Sequence, residues 1–273
     1  MMYSLGSLRI DAQAAWTALA PQLHDLPRRS IGSFMQQVHG FMQQLERQPD
    51  LLAVLDAEDP DRPWLEALAA TADDLRAAGR PLSLACCLRT TGVDGQCSVM
   101  LHDRSLARSV QTGDTVTAGV AVLRSPAAGL VVMPRVFRKV CSNGAVVDVG
   151  AGCVREVEVA EVGPCVRACL QPAGIDVAVA RFRRAAGVAV DDLEALLTRA
   201  RTVTPRAELA ARWRRAGDAS VFGLVNAATA LAHGEQVPER RLDRERDAER
   251  LLAAIECGSA VTLDRLSLVH ATT

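Results

Sequence analysis

A strand–turn–strand pattern across residues 130–150 places the tightest constraint on how this chain can fold. Leu130–Val140 is rich in β-branched and aromatic side chains without helical spacing, which predicts a buried strand. Ser142–Gly144 follows as a turn, because Asn and Gly accept the positive φ angles of tight hairpins. Ala145–Val149 then forms the return strand. The pattern therefore predicts an antiparallel β-hairpin.

Three cations lie beside this turn, at Arg135, Arg138 and Lys139. Solvated charge on the edge of a sheet is one interpretation, because edge strands often carry charge that opposes aggregation. Contact with a phosphate or carboxylate group is the other, since clustered cations attract such groups. The sequence leaves both interpretations open.

The hairpin lies in the middle of a chain whose predicted secondary structure changes twice. Residues 1–80 have helical spacing, residues 81–162 alternate β-rich runs with turns, and residues 163–273 return to helical spacing. The loops between the β-rich runs are too short for crossover helices, so the strands should form an antiparallel meander. We therefore predict an α+β fold, with a central antiparallel meander sheet flanked by N-terminal and C-terminal helices in one folded unit.

Turn residues and changes of period give the expected bounds of the elements. The predicted strands are Leu82–Arg89, Gln96–His102, Thr115–Leu123, Leu130–Val140, Ala145–Val149 and Val154–Val162. The predicted C-terminal helices are Cys165–Gln171, Ile175–Ala186, Val190–Thr202, Pro205–Ala216, Ala219–His233 and Glu239–Glu256. Trp64–Ala78 is the third N-terminal helix, with Pro63 in its first turn and Gly79 as its stop. Thr204 and Asp218 are the predicted caps of two later helices.

The sequence carries no feature of a membrane or secreted protein. No stretch reaches the roughly 20 apolar residues that span a bilayer, and the N-terminus lacks a secretory signal. We therefore predict a cytoplasmic protein in which the eight cysteines are reduced. A partial metal site at Cys153, Cys165 and Cys169 is one interpretation of their spacing. Small buried side chains are the interpretation we favour, so we predict no metal and no cofactor.

Charge is distributed unevenly, although the chain has a net charge of −1. Residues 135–215 hold 14 basic and 9 acidic side chains, a net charge of +5. We predict that a basic groove between the sheet and the helices binds phosphates, because each neutralised phosphate releases counterions. The predicted nucleic-acid-binding residues are Arg135, Arg138, Lys139, Arg181, Arg183 and Arg184. The competing interpretation is that arginines on helices are solvated and paired with nearby glutamates.

Further cations and two aromatic residues extend the same basic segment. The additional arginines are Arg199, Arg201, Arg206, Arg212, Arg214 and Arg215. Phe182 and Trp213 lie among the arginines and would offer stacking surfaces for unpaired bases, or would belong to the core.

Sequence patterns of enzymes are missing. The chain has no G-x-S-x-G, no phosphate-binding G-x-x-x-x-G-K-S/T, no H-E-x-x-H and no Gly-rich dinucleotide loop. Cys141 beside His102 or His233 would make a thiol–imidazole pair, but nothing in the sequence brings them together. Asn226 and His233 are seven residues apart on one helical face, where hydrogen bonding and capping are the simpler roles. We predict no catalytic residues.

Two segments resemble the phage/plasmid-like proteins of unknown function. Residues 134–146, PRVFRKVCSNGAV, are similar to that family's P-x-x-F-R-x-V-C-S/T-N-G core, which here includes Phe137, Cys141, Asn143 and Gly144. Residues 221–233, VFGLVNAATALAH, resemble its N-A-x-T-x-x-A-H helix through Asn226 and His233. The strand at residues 113–125 is also similar, and the resemblance runs in order from Leu82 to Ile255.

One loop departs from that family. Many members carry Asn-Ser-His-Asp-Gly where this chain has Arg124-Ser-Pro-Ala-Ala-Gly129, so only the Ser and the Gly are kept. Any role of the His and Asp in those relatives is therefore not available to this protein through the same groups. The resemblance implies an association with mobile genetic elements, where members lie beside toxin–antitoxin genes.

These observations lead to one preferred function and two alternatives. We predict a non-catalytic accessory protein of a mobile element that binds single-stranded DNA and anneals strands. The order of sheet, hairpin and basic helices is similar to Rad-type phage annealing proteins, which often form rings, so a homo-oligomer is expected. The first alternative is a protein-interaction factor in an anti-defence or toxin–antitoxin context. The second is an enzyme with an unrecognised site near Cys141, Asn143 and Arg138.

Overall fold

The structure is a computed structural model that describes most of the chain. The described residues are 3–10, 39, 43, 47–89, 95–111, 114–125, 129–138, 144–146, 155–235 and 238–256. Val140 and the turn residues Ser142 and Asn143 of the predicted hairpin lie outside these ranges, as do most of residues 11–46, for which the sequence has helical spacing.

An antiparallel meander forms the sheet, as the short loops predict. Its strands are β1 (Leu82–Arg89), β2 (Cys97–Gln111), β3 (Asp114–Ser125), β4 (Gly129–Arg138), β5 (Gly144–Val146) and β6 (Arg155–Glu156). They are hydrogen-bonded in the order β1-β2-β3-β4-β5, and β6 pairs with β4. The predicted α+β fold class is confirmed.

The predicted hairpin is present as the antiparallel pair of β4 and β5. Arg135 lies opposite Val146 and Phe137 lies opposite Gly144. This register brings both ends of the resemblance motif together across the turn.

The described residues also form helices on both sides of the β-rich region in sequence. They are α1 (Leu51–Val54), α2 (Arg62–Ala77), α3 (Val162–Cys169), α4 (Pro172–Ala186), α5 (Leu193–Ala200), α6 (Arg206–Ala216), α7 (Val221–His233), α8 (Pro238–Glu245) and α9 (Asp247–Glu256). In α2, Pro63 lies in the first turn and Gly79 follows the end with a φ of +83°, as predicted. Among the described residues, no helix has the length and apolar character needed to cross a bilayer.

The chain divides into two compact units whose boundaries fall within β2, β3 and β4. Unit 1 comprises residues 1–107, 117–132 and 156–170, and unit 2 comprises residues 108–116, 133–155 and 171–273. These limits differ from the segment boundaries after residues 80 and 162 that the sequence suggests.

Unit 1 has a core of aliphatic side chains from its strands and helices around one tryptophan. Trp64 is 1% exposed and packs with residues such as Leu5, Leu65 and Leu101. Its Nε1 donates a hydrogen bond to Asp61 Oδ1 at 3.0 Å. Because a buried indole N–H normally needs an acceptor, this bond fixes the ring in place.

A charged network surrounds Asp61 in unit 1. Arg124 Nε donates to Asp61 Oδ1 at 2.5 Å, and Arg89 Nε lies 3.2 Å from Asp61 Oδ2. Arg89 also reaches Asp59. Arg124, the first residue of the loop that departs from the resembled family, therefore has a structural role.

Unit 2 is built around α7, which α4, α6, α8 and α9 contact. The helix is apolar on most sides, so its burial inside a bundle follows from its composition. Phe222 of α7 packs against Phe182 of α4 with ring centroids 5.5 Å apart.

The predicted strand Val154–Val162 is wrong over most of its described length. Only Arg155 and Glu156 belong to a strand, and a 3₁₀ turn at Val159–Glu161 leads into α3. Glu158 and Glu161 form a capping box, in which Glu158 N donates to Glu161 Oε2 at 3.2 Å. The alternation of valines and glutamates suggested a strand, while the spacing of the two glutamates specified a helix start.

Two predicted caps are also wrong. Pro205, not Thr204, is the N-cap of α6, and it makes no side-chain hydrogen bond. Ser220, not Asp218, caps α7, because its Oγ accepts from Gly223 N at 3.1 Å. Asp218 instead accepts hydrogen bonds from the backbone and hydroxyl groups of Ser220, and so orients the cap.

The predicted single helix at residues 239–256 is divided at Arg246. Glu245, Arg246, Asp247 and Glu249 are all buried. Consecutive residues of one α-helix point about 100° apart, so an unbroken helix would direct one of the first three toward solvent. With the break, Glu245 meets Arg135, Asp247 meets Arg250 and Glu249 meets Arg181. Arg246 lies 3.4 Å from Asp243, which is partly exposed.

Gly223 lies in the first turn of α7, where its backbone packs closely against Asp218. A Cβ there would collide with the carbonyl oxygen of Asp218 and lie 2.7 Å from its Cγ. We expect Gly223→Ala to lower the free energy of unfolding by about 1–3 kcal/mol, despite alanine's higher helix propensity.

Gly234→Ala is the matched control at the other end of α7. Its φ is −73° and its nearest neighbour is 3.5 Å away, so we expect unchanged or slightly greater stability. Urea denaturation of both variants measures the difference. Equal stability of the two variants would show that the described contact at Asp218 is absent.

Candidate nucleic-acid interface

Arg135, the first predicted phosphate ligand, lies inside unit 2. Its side chain is 0% exposed, and Nη2 is 2.5 Å from Oε1 of Glu245, which is 2% exposed. Arg241 Nε donates to the same oxygen at 3.0 Å. The Arg135 guanidinium also lies over the Phe137 ring, with 5.1 Å between its Cζ and the ring centroid. Arg135 is therefore not a solvated edge residue. It contacts a carboxylate, which is one of the two groups expected, but this carboxylate is internal and the buried guanidinium is closed to an external phosphate.

The position of Arg135 follows from the hairpin. Residues two apart on a strand share a face, so Arg135 and Phe137 project together from β4. The partner strand β5 contacts α7, α8 and α9, and Glu245 is the last residue of α8. A cation at this place loses its hydration and needs the carboxylate that α8 supplies.

Arg181 also forms ion pairs with internal carboxylates. Its Nη1 and Nη2 donate to the two oxygens of Glu249 at 2.7 Å each, and its Nε donates to Glu256 Oε1 at 2.8 Å. Burial opposes the charge, but the hydrogen bonds to both glutamates outweigh it and raise the pKa of Arg181. The bond pattern ties α4 to α9 and leaves this guanidinium little capacity for a phosphate.

The remaining predicted ligands differ in their surroundings. Arg183 is exposed, and its Nη2 donates to the carbonyl oxygen of Ser109 at 2.7 Å. Arg184 has a side chain that is 62% exposed, with Nη1 3.5 Å from Glu256. The side chain of Arg138 and all of Lys139 lie outside the described part of the chain.

A second group of arginines is exposed in unit 2. Between residues 199 and 215 all six arginines are exposed, and Glu208 is the one acidic residue in that range. Arg206 lies 3.4 Å from Glu194, while Glu208 lies 3.7 Å from Arg244. The other five have no ion pair with any described residue; we name them the linker–α6 arginines. They are Arg199 in the last turn of α5, Arg201 in the linker that follows, and Arg212, Arg214 and Arg215 on α6.

The geometry of α6 explains why these charges face outward. Leu209 and Ala210 are the buried positions of the helix. Arg214 and Arg215 lie in the last turn and Arg212 lies just before it, and all three are exposed. Cations near a helix C-terminus are also stabilised by the helix dipole. The helix dipole therefore favours Arg214 and Arg215 in this turn.

The two aromatic residues considered for base stacking have different environments. Phe182 is 3% exposed and packs on Phe222, so its predicted stacking role is wrong. Trp213 is partly exposed and lies between Arg212 and Arg214.

The two resemblance motifs meet in unit 2, since β5 contacts α7. Phe137 is buried, and Gly144 supplies backbone pairing opposite it. The carbonyl oxygen of Asn226 accepts a hydrogen bond from Thr229 Oγ1 at 3.1 Å, and His233 is the last residue of α7. Cys141 and Asn143 lie outside the described residues, so the enzyme alternative stays untested.

Features of a metal or thiol centre are missing from the described ranges. No group of three or more His, Cys, Asp or Glu there is arranged to hold a metal ion. Cys87, Cys97 and Cys169 are buried thiols, and burial raises the pKa of Cys169 to about 12. Burial also lowers the pKa of His102, which contacts the Ser83 hydroxyl across β1 and β2. These thiols and this imidazole have the surroundings of structural groups.

No protein-family model, no curated protein and no solved structure matches this chain. The resemblance to phage/plasmid-like proteins therefore stays a prediction.

Sequence analysis did not find the internal carboxylates that neutralise the buried arginines. Glu245, Asp247 and Glu249 belong to a segment in which most residues are charged, and such a segment is usually solvated. Asp247 accepts from the backbone N–H groups of Val203 and Thr204 at 3.0 and 2.8 Å. These bonds join residues more than forty positions apart, and no local pattern reveals them.

The buried pair of Arg135 and Glu245 leads to a stability prediction. We expect Glu245→Gln to lower the free energy of unfolding by about 3–5 kcal/mol, because it leaves buried cations without a countercharge. Glu194→Gln, at the exposed pair with Arg206, should cost at most about 1 kcal/mol. Chemical denaturation compares the two variants. A loss below about 1 kcal/mol for Glu245→Gln would contradict the burial of this pair.

Proposed function

We propose that the protein binds single-stranded DNA without chemical catalysis, through phosphate contacts made by the linker–α6 arginines. The observation that carries this proposal is the run of exposed arginines at residues 199–215, with one acidic residue among them. Each arginine offers a planar set of donors that matches a phosphate group. Arg183 and Arg184 are further contacts to phosphate, while Arg135 and Arg181 act as scaffold.

The near-neutral charge of the whole chain is compatible with this proposal. Four acidic side chains of unit 2, Asp114, Glu245, Asp247 and Glu249, are buried. Arg135, Arg181 and Arg250 neutralise three of them internally. These buried pairs are neutral, so the local potential that a polyanion meets at residues 199–215 follows from six exposed arginines against one glutamate.

Electrostatic holding is the mechanism that these residues would provide. Arginines that replace condensed counterions add affinity without regard to base sequence. The same neutralisation reduces repulsion between two strands, which is the physical requirement for annealing. The resemblance to proteins of mobile elements supports such a role, and assembly into a homo-oligomer would align several basic surfaces along one strand.

Replacing three linker–α6 arginines tests the proposal. We expect Arg212→Ala, Arg214→Ala and Arg215→Ala together to weaken binding of a labelled oligothymidylate and to flatten its salt dependence. Each lost contact should reduce the log–log salt slope by about 0.7. Fluorescence anisotropy at salt concentrations between about 50 and 200 mM measures both quantities.

The matched control removes the same charge from unit 1. Arg62, Arg76 and Arg167 each lie within 4 Å of a carboxylate, on Glu66, Asp73 and Asp74. Their triple alanine variant should keep the wild-type salt slope. If both triple variants lose affinity equally, net charge rather than this surface governs binding. If the wild-type protein does not bind at low salt, the proposed function is wrong.

A further inference from the structure

Trp213 differs from the other described aromatic residues of unit 2. Phe137, Phe182 and Phe222 are 5%, 3% and 2% exposed, and all three belong to the interior. Trp213 is partly exposed. It is therefore the aromatic ring that a ligand of described unit 2 can reach.

The surroundings of Trp213 also differ from those of a structural tryptophan. Trp64 is 1% exposed, and its Nε1 donates to Asp61. The Nε1 of Trp213 is buried and has no hydrogen-bond partner among the described residues. A buried indole N–H normally has a hydrogen-bond acceptor. Because no described residue accepts from Trp213, packing alone holds its ring. Reorientation of the ring would break no hydrogen bond.

The helix places this ring among cations. Residues 212 and 214 flank it on either side of α6, and both arginines are exposed. A strand whose phosphates contact these arginines would hold its bases within reach of the indole. Cationic grooves with interleaved aromatic rings are how single strands are commonly bound, since every base has a π face.

We propose that Trp213 stacks on an unpaired base and gives the protein its preference for single strands over duplex. This inference rests on the proposed function, because the arginines must first hold the strand. Duplex DNA keeps its bases stacked on each other and offers only phosphates. The arginines therefore supply affinity for both forms, and Trp213 supplies the difference between them.

Three substitutions at Trp213 separate stacking from packing. Trp213→Ala removes the ring, Trp213→Leu keeps an apolar side chain without a π face, and Trp213→Phe keeps a smaller ring. We expect the Ala and Leu variants to bind oligothymidylate about tenfold more weakly, with little change for duplex. The Phe variant should stay close to wild type. Anisotropy titrations with both DNA forms measure the ratio.

A photocrosslink tests the contact in the wild-type protein and does not depend on any variant folding. An oligothymidylate carrying one 5-bromouracil is irradiated in the complex, and mass spectrometry identifies the attached residue. Attachment at Trp213, together with loss of single-strand preference in the Leu variant, supports the inference.

The outcomes separate this inference from the proposed function. Salt-dependent binding with an unchanged single-strand preference in the Leu variant, or with crosslinks elsewhere, overturns the role of Trp213 and leaves the arginine surface in place. Absence of binding by the wild-type protein overturns both.

Discussion

The desolvation of charge at the hairpin is the constraint on which unit 2 depends. Arg135 is completely buried, and Glu245 at 2.5 Å supplies its countercharge. A lone guanidinium at that depth would cost several kcal/mol, so the hairpin and α8 must be placed together. The division of the helix at Arg246 and the burial of Asp247 and Glu249 follow the same rule. Polar contacts of this kind specify one arrangement of helices more narrowly than apolar packing does.

The described arginines of unit 2 discussed above fall into two classes, according to whether an internal carboxylate neutralises them. Those that meet an internal carboxylate, such as Arg135 and Arg181, hold elements together. Those of residues 199–215 face solvent, with one acidic residue in that range, and keep their capacity for an external anion. Composition cannot make this distinction, because both classes contribute equally to net charge. The surface proposed to bind single-stranded DNA therefore differs from most of the six nucleic-acid-binding residues predicted from the sequence.

Much of the fold could be predicted from local patterns. Leu82–Arg89 was predicted with its observed bounds, and the Asn-Gly turn correctly implied the pair of β4 and β5. The capping box at Glu158 was missed because a period of two in the valines obscured it. The site was harder to predict, since the burial of Arg135 depends on a glutamate 110 positions later. Local sequence gave no indication of that contact, whereas exposed arginines on α6 follow from helical spacing alone.

The most direct measurement is residue-by-residue modification of arginines by a dicarbonyl reagent, with and without oligothymidylate, read by mass spectrometry. Arg212, Arg214 and Arg215 should react in the free protein and be protected by the oligonucleotide. Arg135 and Arg181 should resist the reagent in both states, because their guanidinium groups are held by Glu245 and by Glu249. Rapid modification of Arg135 or Arg181 that the oligonucleotide suppresses, with no protection on α6, would contradict the division into scaffold and binding arginines.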